Sequence, residues 1–165
     1  MNVSRATAIH PDFVSYYVRI KKKFGIRDGC VMLEFTESFA YENYEYLSGV
    51  ISELHSAGFL CSLDDFGTGY SSFAVLKLLN FDEIKIDKSL LDRSSHPERD
   101  AILLQSIIGM IIKLGIKITQ EGVEDMDEFG TLEKMGCDVI QGYFFAKPMK
   151  YIDYCEFVNT NFPKP

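Results

Sequence analysis

A short pattern repeats along the chain. A stretch with apolar residues at helical spacing comes first, then a glycine, a short apolar run and a polar residue that closes the run. Gly29 leads into the run 30–33, closed by Glu34, and Gly58 leads into 59–63, closed by Asp64 and Asp65. Gly115 leads into 116–120, closed by Glu121, and Gly136 leads into 137–140, closed by Gln141. The run 83–87, around Lys85, is of the same kind without the leading glycine. Glycine after a helix is the usual left-handed stop. Short apolar runs between such helices read as buried parallel strands. The spacing predicts helices over 12–24 (Phe13, Tyr16, Tyr17, Ile20), 42–57 (Leu47, Val50, Ile51, Leu54), 97–114 and 127–135. Pro97 suits a first helical turn. Strand alternating with helix means an α/β fold with a mainly parallel sheet and right-handed crossovers.

Length narrows that picture. The chain has 165 residues and no Pro/Ser-rich divider, so 1–165 is read as one domain. A complete eight-fold α/β barrel takes roughly 250 residues and at least about 200. Apolar residues at 47% and charged residues at 25% argue against disorder. The net charge of −7 does not suit sequence-independent binding to duplex DNA. It does suit cations held by carboxylates, although most excess acid is solvated surface. The four cysteines show no CxxC spacing and read as buried, reduced thiols of a cytoplasmic protein. No signal peptide is visible. The longest apolar stretch, 101–114, is interrupted by Gln105 and Lys113 and is too short to span a membrane, so no membrane contact is expected.

The polar residues that close the runs carry the chemistry. In parallel α/β folds the carboxyl ends of the strands share one cleft. Glu34, Asp64, Asp65, Lys85, Glu121 and Gln141 then converge on one rim. Each has a plainer reading alone, since a strand-end Asp is often the cap of the next helix. Three carboxylate positions, a lysine and an amide together point to metal or phosphate chemistry. His10, His55 and His96 read as surface residues, and Lys21-Lys22-Lys23 as a helix-end cluster facing the helix dipole.

The segments Leu33-Glu34-Phe35-Thr36-Glu37-Ser38, Asp64-Asp65-Phe66-Gly67-Thr68-Gly69-Tyr70-Ser71-Ser72-Phe73, Lys85-Ile86-Asp87, Glu121-Gly122-Val123-Glu124 and Gln141-Gly142-Tyr143 occur in this order. The set resembles the EAL domain, the bacterial phosphodiesterase family that cleaves cyclic di-GMP, from Asn2 to about Met149. Asn2-Val3-Ser4 is similar to the family's Asn-x-Ser, which closes the third strand of a variant (β/α)8 TIM-like barrel. The resemblance therefore implies an incomplete barrel, from the tip of strand three to strand eight, in a single truncated EAL domain over 1–165. The Glu-Ala-Leu segment, whose glutamate binds metal in the family, does not occur in the sequence.

The resemblance also implies roles. Asn2, Glu34, Asp64, Asp65 and Glu121 are expected to hold two Mg²⁺ or Mn²⁺ ions, which suit oxygen donors; Ca²⁺ is expected to inhibit. Glu121 is also the candidate general base. Lys85 supplies positive charge toward the reacting phosphate, and Gln141 orients the attacking water. Glu37, Gly67, Thr68, Gly69 and Glu124 form a supporting loop layer. The implied reaction is hydrolysis of cyclic di-GMP to linear pGpG, weak or absent in this chain alone. The alternative is a catalytically inactive signalling or interaction module that assembles through open barrel edges. Expected partners are cyclic di-GMP and either a second copy or the missing N-terminal barrel segment.

Overall fold

The computed structural model describes residues 1–68, 73–92 and 94–161. Five parallel strands form one sheet in the order of the chain: β1 (Met32–Thr36), β2 (Leu60–Phe66), β3 (Glu83–Ile86), β4 (Lys117–Gln120) and β5 (Val139–Ile140). Helices α1 (Arg5–Ala8) and α2 (Phe13–Lys23) precede β1. Helices α3 (Glu37–Glu42) and α4 (Tyr44–Ser56) join β1 to β2. Then come α5 (Phe73–Leu78), α6 (Pro97–Lys113), α7 (Met126–Met135) and α8 (Tyr151–Asn161). Parallel neighbours consecutive in the chain, each joined by helix, are the arrangement of a partial TIM-like barrel. Asn2 forms an isolated parallel bridge with Glu34 of β1. Ser4 then caps α1, its side chain accepting from the Thr7 N–H.

One face of the sheet is apolar. Leu33 and Phe35 of β1, Leu63 of β2, Ile84 and Ile86 of β3 and Ile118 of β4 are all fully buried. They meet Leu47, Ile51 and Leu54 of α4, Ile108 and Ile111 of α6 and Leu132 of α7 in one core. Alternation puts the intervening residues on the opposite, lumen face. Glu34, Ser62, Asp64, Glu83, Lys85 and Thr119 lie there. The buried run expected from sequence is thus one-sided, and its other side is polar.

Several boundaries differ from expectation. β1 and β2 begin and end later than predicted, and β2 runs through Asp64 and Asp65, because Thr36 pairs with Asp64 inside the sheet. The helix before β1, Phe13–Lys23, matches the expected 12–24, and the left-handed residue that follows it is Gly25, φ 61°, rather than Gly29. Gly29 instead donates its N–H to the Gly58 carbonyl at 2.9 Å and ties two turns together. The short helices α1, α3 and α5 give too few turns for a periodic signal. α8 escaped notice because it buries no residue and so has no clear apolar face. Only Cys61 is buried; Cys30 is exposed and Cys137 and Cys155 are intermediate. Burial pushes the Cys61 thiol up to about 12, with the Asp82 charge adding to it.

Lys21 does more than expected. Besides standing in the last turn of α2, it is buried, pairs with Asp28, and donates to the Ala57 carbonyl where α4 ends. His55 pairs with Asp82 at 2.9 Å. No helix among the described residues is long and apolar enough to cross a membrane.

Candidate active site

The site grows out of an irregularity in β2. Ser62 and Leu63 pair with Glu83 and Ile84, but the next pair is Phe66 with Ile86. Three steps on β2 therefore match two on β3, which is a β-bulge with one extra residue. The extra residue is accommodated at Asp65, whose φ of 60° is the only positive value at a non-glycine among the described residues. Adjacent strand residues normally point to opposite faces. The bulge breaks that rule and lets Asp64 and Asp65 approach the same rim.

Lys85 is the hub. Its Nζ lies 2.9 Å from Asp64 Oδ1, 2.7 Å from Glu121 Oε1 and 3.4 Å from Glu34 Oε2, with its side chain only 12% exposed. β1, β2, β3 and the residue after β4 thus each send one charged group to one point. Burial would lower the Lys85 pKa, but hydrogen bonds and charge from Glu121 and Asp64 outweigh it and hold the ammonium above its usual range. Burial likewise works against ionised Glu34. The amino group of Met1, at 3.0 Å, and Lys85 overcome it and hold the carboxyl below its usual range. Asp65 goes the other way: burial, then the charges of Asp64 and Asp87, raise its pKa against the pull of Lys85.

The donor set fits a divalent cation. Carboxylate oxygens of Asp64, Asp65 and Glu121 all lie within 4.8 Å of one another. Oxygen donors on a partly buried acidic rim are what Mg²⁺ or Mn²⁺ requires. Glu34 reaches this group through Lys85. Asn2 is placed beside Glu34 by its backbone, with Val3 N–H donating to the Glu34 carbonyl at 3.0 Å.

A cavity of about 370 Å³ opens beside the cluster, bordered by Asp87, Lys88, Glu121, Gly122, Gln141 and Tyr143. Gln141 is held by its backbone, N–H to the Gln120 carbonyl at 2.8 Å and C=O from the Val123 N–H at 3.2 Å. Gly142 is required here because a Cβ would collide with the Val123 backbone. Glu124 pairs with Lys88 at the cavity's edge.

Of the supporting loop, Glu37 is buried in the first turn of α3 and accepts from the Gly67 N–H at 3.2 Å. Thr68 donates its hydroxyl to the Asp65 carbonyl at 3.0 Å, closing the turn after the bulge. Gly69 lies outside the described residues. Asp87, part of the Lys85-Ile86-Asp87 segment but given no role by the sequence, caps the following 3-10 turn through the Ser89 N–H. Gln120 was read only as part of a buried run. A polar residue at the core-facing position two after Ile118, directly before Glu121, was the available signal.

The family model described as the EAL domain matches residues 1–148. The probable cyclic di-GMP phosphodiesterase PdeG of Escherichia coli K12 is 35% identical over 158 residues, 96% of this chain and 31% of that protein. The chain thus spans less than a third of that relative's length. Two solved structures resemble it closely. The PaMucR phosphodiesterase in complex with c-di-GMP has a TM-score of 0.85 at 31% identity, covering 93% of this chain and 62% of that one. Klebsiella pneumoniae BlrP1, in a manganese and cyclic di-GMP complex, has a TM-score of 0.80 at 30% identity, covering 90% of this chain and 38% of that one.

Proposed function

This chain belongs to the EAL domain family, and from that premise we propose that it is the portion of a cyclic di-GMP phosphodiesterase that carries most of the metal-binding rim. On this reading the 165 residues are one truncated EAL domain of a cytoplasmic signalling protein. The observation that carries the reading is the meeting of Glu34, Asp64 and Glu121 around Lys85, with Asp65 brought alongside by the bulge. PdeG's name and the ligands of PaMucR and BlrP1 support cyclic di-GMP as the substrate and Mn²⁺ or Mg²⁺ as the cation.

Asp64, Asp65 and Glu121 would hold the cations, joined by Glu34 and Asn2. Bound divalent ions would neutralise phosphate charge and make water more acidic. Glu121 accepts the proton of the attacking water. Lys85 keeps three like-charged carboxylates close together and then offers its charge to the anionic phosphate. Gln141, at the cavity's border, orients the water through its amide. The 370 Å³ cavity beside Glu121 and Tyr143 receives part of the dinucleotide.

A second reading, an inactive module that assembles through open edges, rests on a separate observation. β5 is only two residues long at one edge of the sheet. Beside it Tyr143, Phe145, Tyr151 and Tyr154 are exposed. An open, apolar edge calls for a partner, either a second copy or another barrel segment. Calorimetry of cyclic di-GMP into the chain with Ca²⁺, and chromatography of pGpG with Mn²⁺, separate the two. Binding with slow pGpG release that Glu121→Gln abolishes is expected. Neither binding nor release, in a chain that sediments as an oligomer, would leave only the module reading.

A further inference from the structure

Gln120 ends β4 and is fully buried, one residue before Glu121. Alternation turns it away from the lumen, toward the helix-covered face, where a polar side chain is unfavourable unless bonded. Its Nε2 donates to the Ile86 carbonyl at 3.1 Å and the Glu121 carbonyl at 3.0 Å, with the Asp87 carbonyl at 3.5 Å as a weaker third. Three carbonyl oxygens around one terminus admit only the amino group there, which decides how the amide is turned. Its Oε1 is buried with no hydrogen-bond partner among the described residues. A methionine would fill the same space without burying an unpaired acceptor. Space-filling therefore does not account for a glutamine.

What the amide holds is informative. Ile86, which ends β3, and Asp87 directly follow Lys85, and Glu121 follows β4. The Glu121 peptide is gripped at both ends: its N–H donates to Ile86 at 3.0 Å and its carbonyl accepts from Gln120. Immediately afterwards Gly122 turns left-handed, with φ 73°, and the chain leaves the sheet. Without the amide, the last ladder-bonded atoms of Glu121 would be its N–H alone.

We propose that Gln120 is a positioning residue that locks the carboxyl ends of β3 and β4 together and so sets the Glu121 carboxylate against Lys85 and Asp64. The consequence for cation binding rests on the reading of Glu121 as a ligand; the lock itself does not.

Gln120→Met tests both parts, with Gln120→Asn, too short to span the carbonyls, in its place should the first variant not fold. Amide hydrogen exchange of the metal-free chain is the first readout. Protection at the Glu121 and Asp87 N–H groups is expected to fall about tenfold, with Leu63 and Ile84 unchanged. Equal protection in variant and parent overturns the proposal whatever the metal does. Mn²⁺ calorimetry is the second readout, with a Kd about tenfold higher expected in the variant. Unchanged affinity overturns the link from lock to site. A parent chain that binds no Mn²⁺ defeats the metal-site reading instead, and hydrogen exchange alone then decides for or against the lock.

Discussion

At the carboxyl ends of the strands, Asp64 and Asp65 accept no backbone hydrogen bond with their side chains among those described; Asp64 faces Lys85 at 2.9 Å and Asp65 carries a raised pKa. At the amino ends, aspartates do the reverse. Asp82, just before β3, accepts from the Cys61 N–H of β2 at 2.7 Å and meets His55. Asp138, just before β5, accepts from the Ile118 N–H of β4 at 2.8 Å. Asp82 and Asp138 thus serve the scaffold by satisfying backbone donors of a neighbouring strand, whereas Asp64 and Asp65 are left with oxygens to spare. At the carboxyl ends, like charges are held together by one lysine, a set of oxygen donors that fits a divalent cation.

The sharpest way to break this contrast is Lys85→Met. It leaves partly buried carboxylates without their counter-charge, and a loss of about 2 to 3 kcal/mol is expected in urea unfolding at pH 7. Added Mn²⁺ is expected to return part of that loss. No loss would mean that the charges at this end are not coupled. Next, Asp64→Asn is expected to weaken Mn²⁺ binding by about 100-fold in calorimetry, while metal-free stability stays within about 1 kcal/mol. Its counterpart, Asp82→Ala, is expected to cost about 2 kcal/mol of stability by stranding the Cys61 N–H. Mn²⁺ affinity should not change in that variant. If the two aspartate variants exchanged phenotypes, the division between the ends would fail.

The smallest effect concerns pH. The Asp65 pKa is raised by folding, so its contribution is present below its ordinary value and lost as pH rises through the raised one. Asp65→Asn, which tolerates a left-handed φ, removes that loss. The variant is expected to be slightly more stable than the parent at neutral pH, with the gap closing in acid. Glu34 has the opposite sign: its lowered pKa adds stability above the ordinary value, lost as pH falls through the lowered one. Acid unfolding of Glu34→Gln beside the parent reads this directly, and an identical acid limb would contradict it.

Much of this was legible in the chain. Each glycine-led run that ends in a polar residue became a strand, and Glu34, Asp64, Lys85 and Glu121 stand at one rim as their strand-end positions required. Three kinds of feature were not legible. Short helices such as α3 lack the turns that make a period visible. Lys21 reads only as one of a helix-end cluster because charge patterns do not reveal that the Ala57 carbonyl needs a donor. Asp82, Asp138 and Gln120 act on backbone atoms of other strands, and no local spacing encodes which strand lies alongside.

The sequence by itself determined the parallel α/β order, the identity of the rim and the family, because hydrophobic period, glycine stops and strand-end chemistry are local properties. Only the tertiary structure decided how two adjacent aspartates can face one point. That takes the extra residue in β2, measured against β3, and a left-handed Asp65 to absorb it. It likewise decided that Lys85 stands amid three carboxylates and that a buried glutamine grips the ends of β3 and β4. These are properties of register between distant segments, which exist only once the strands are side by side.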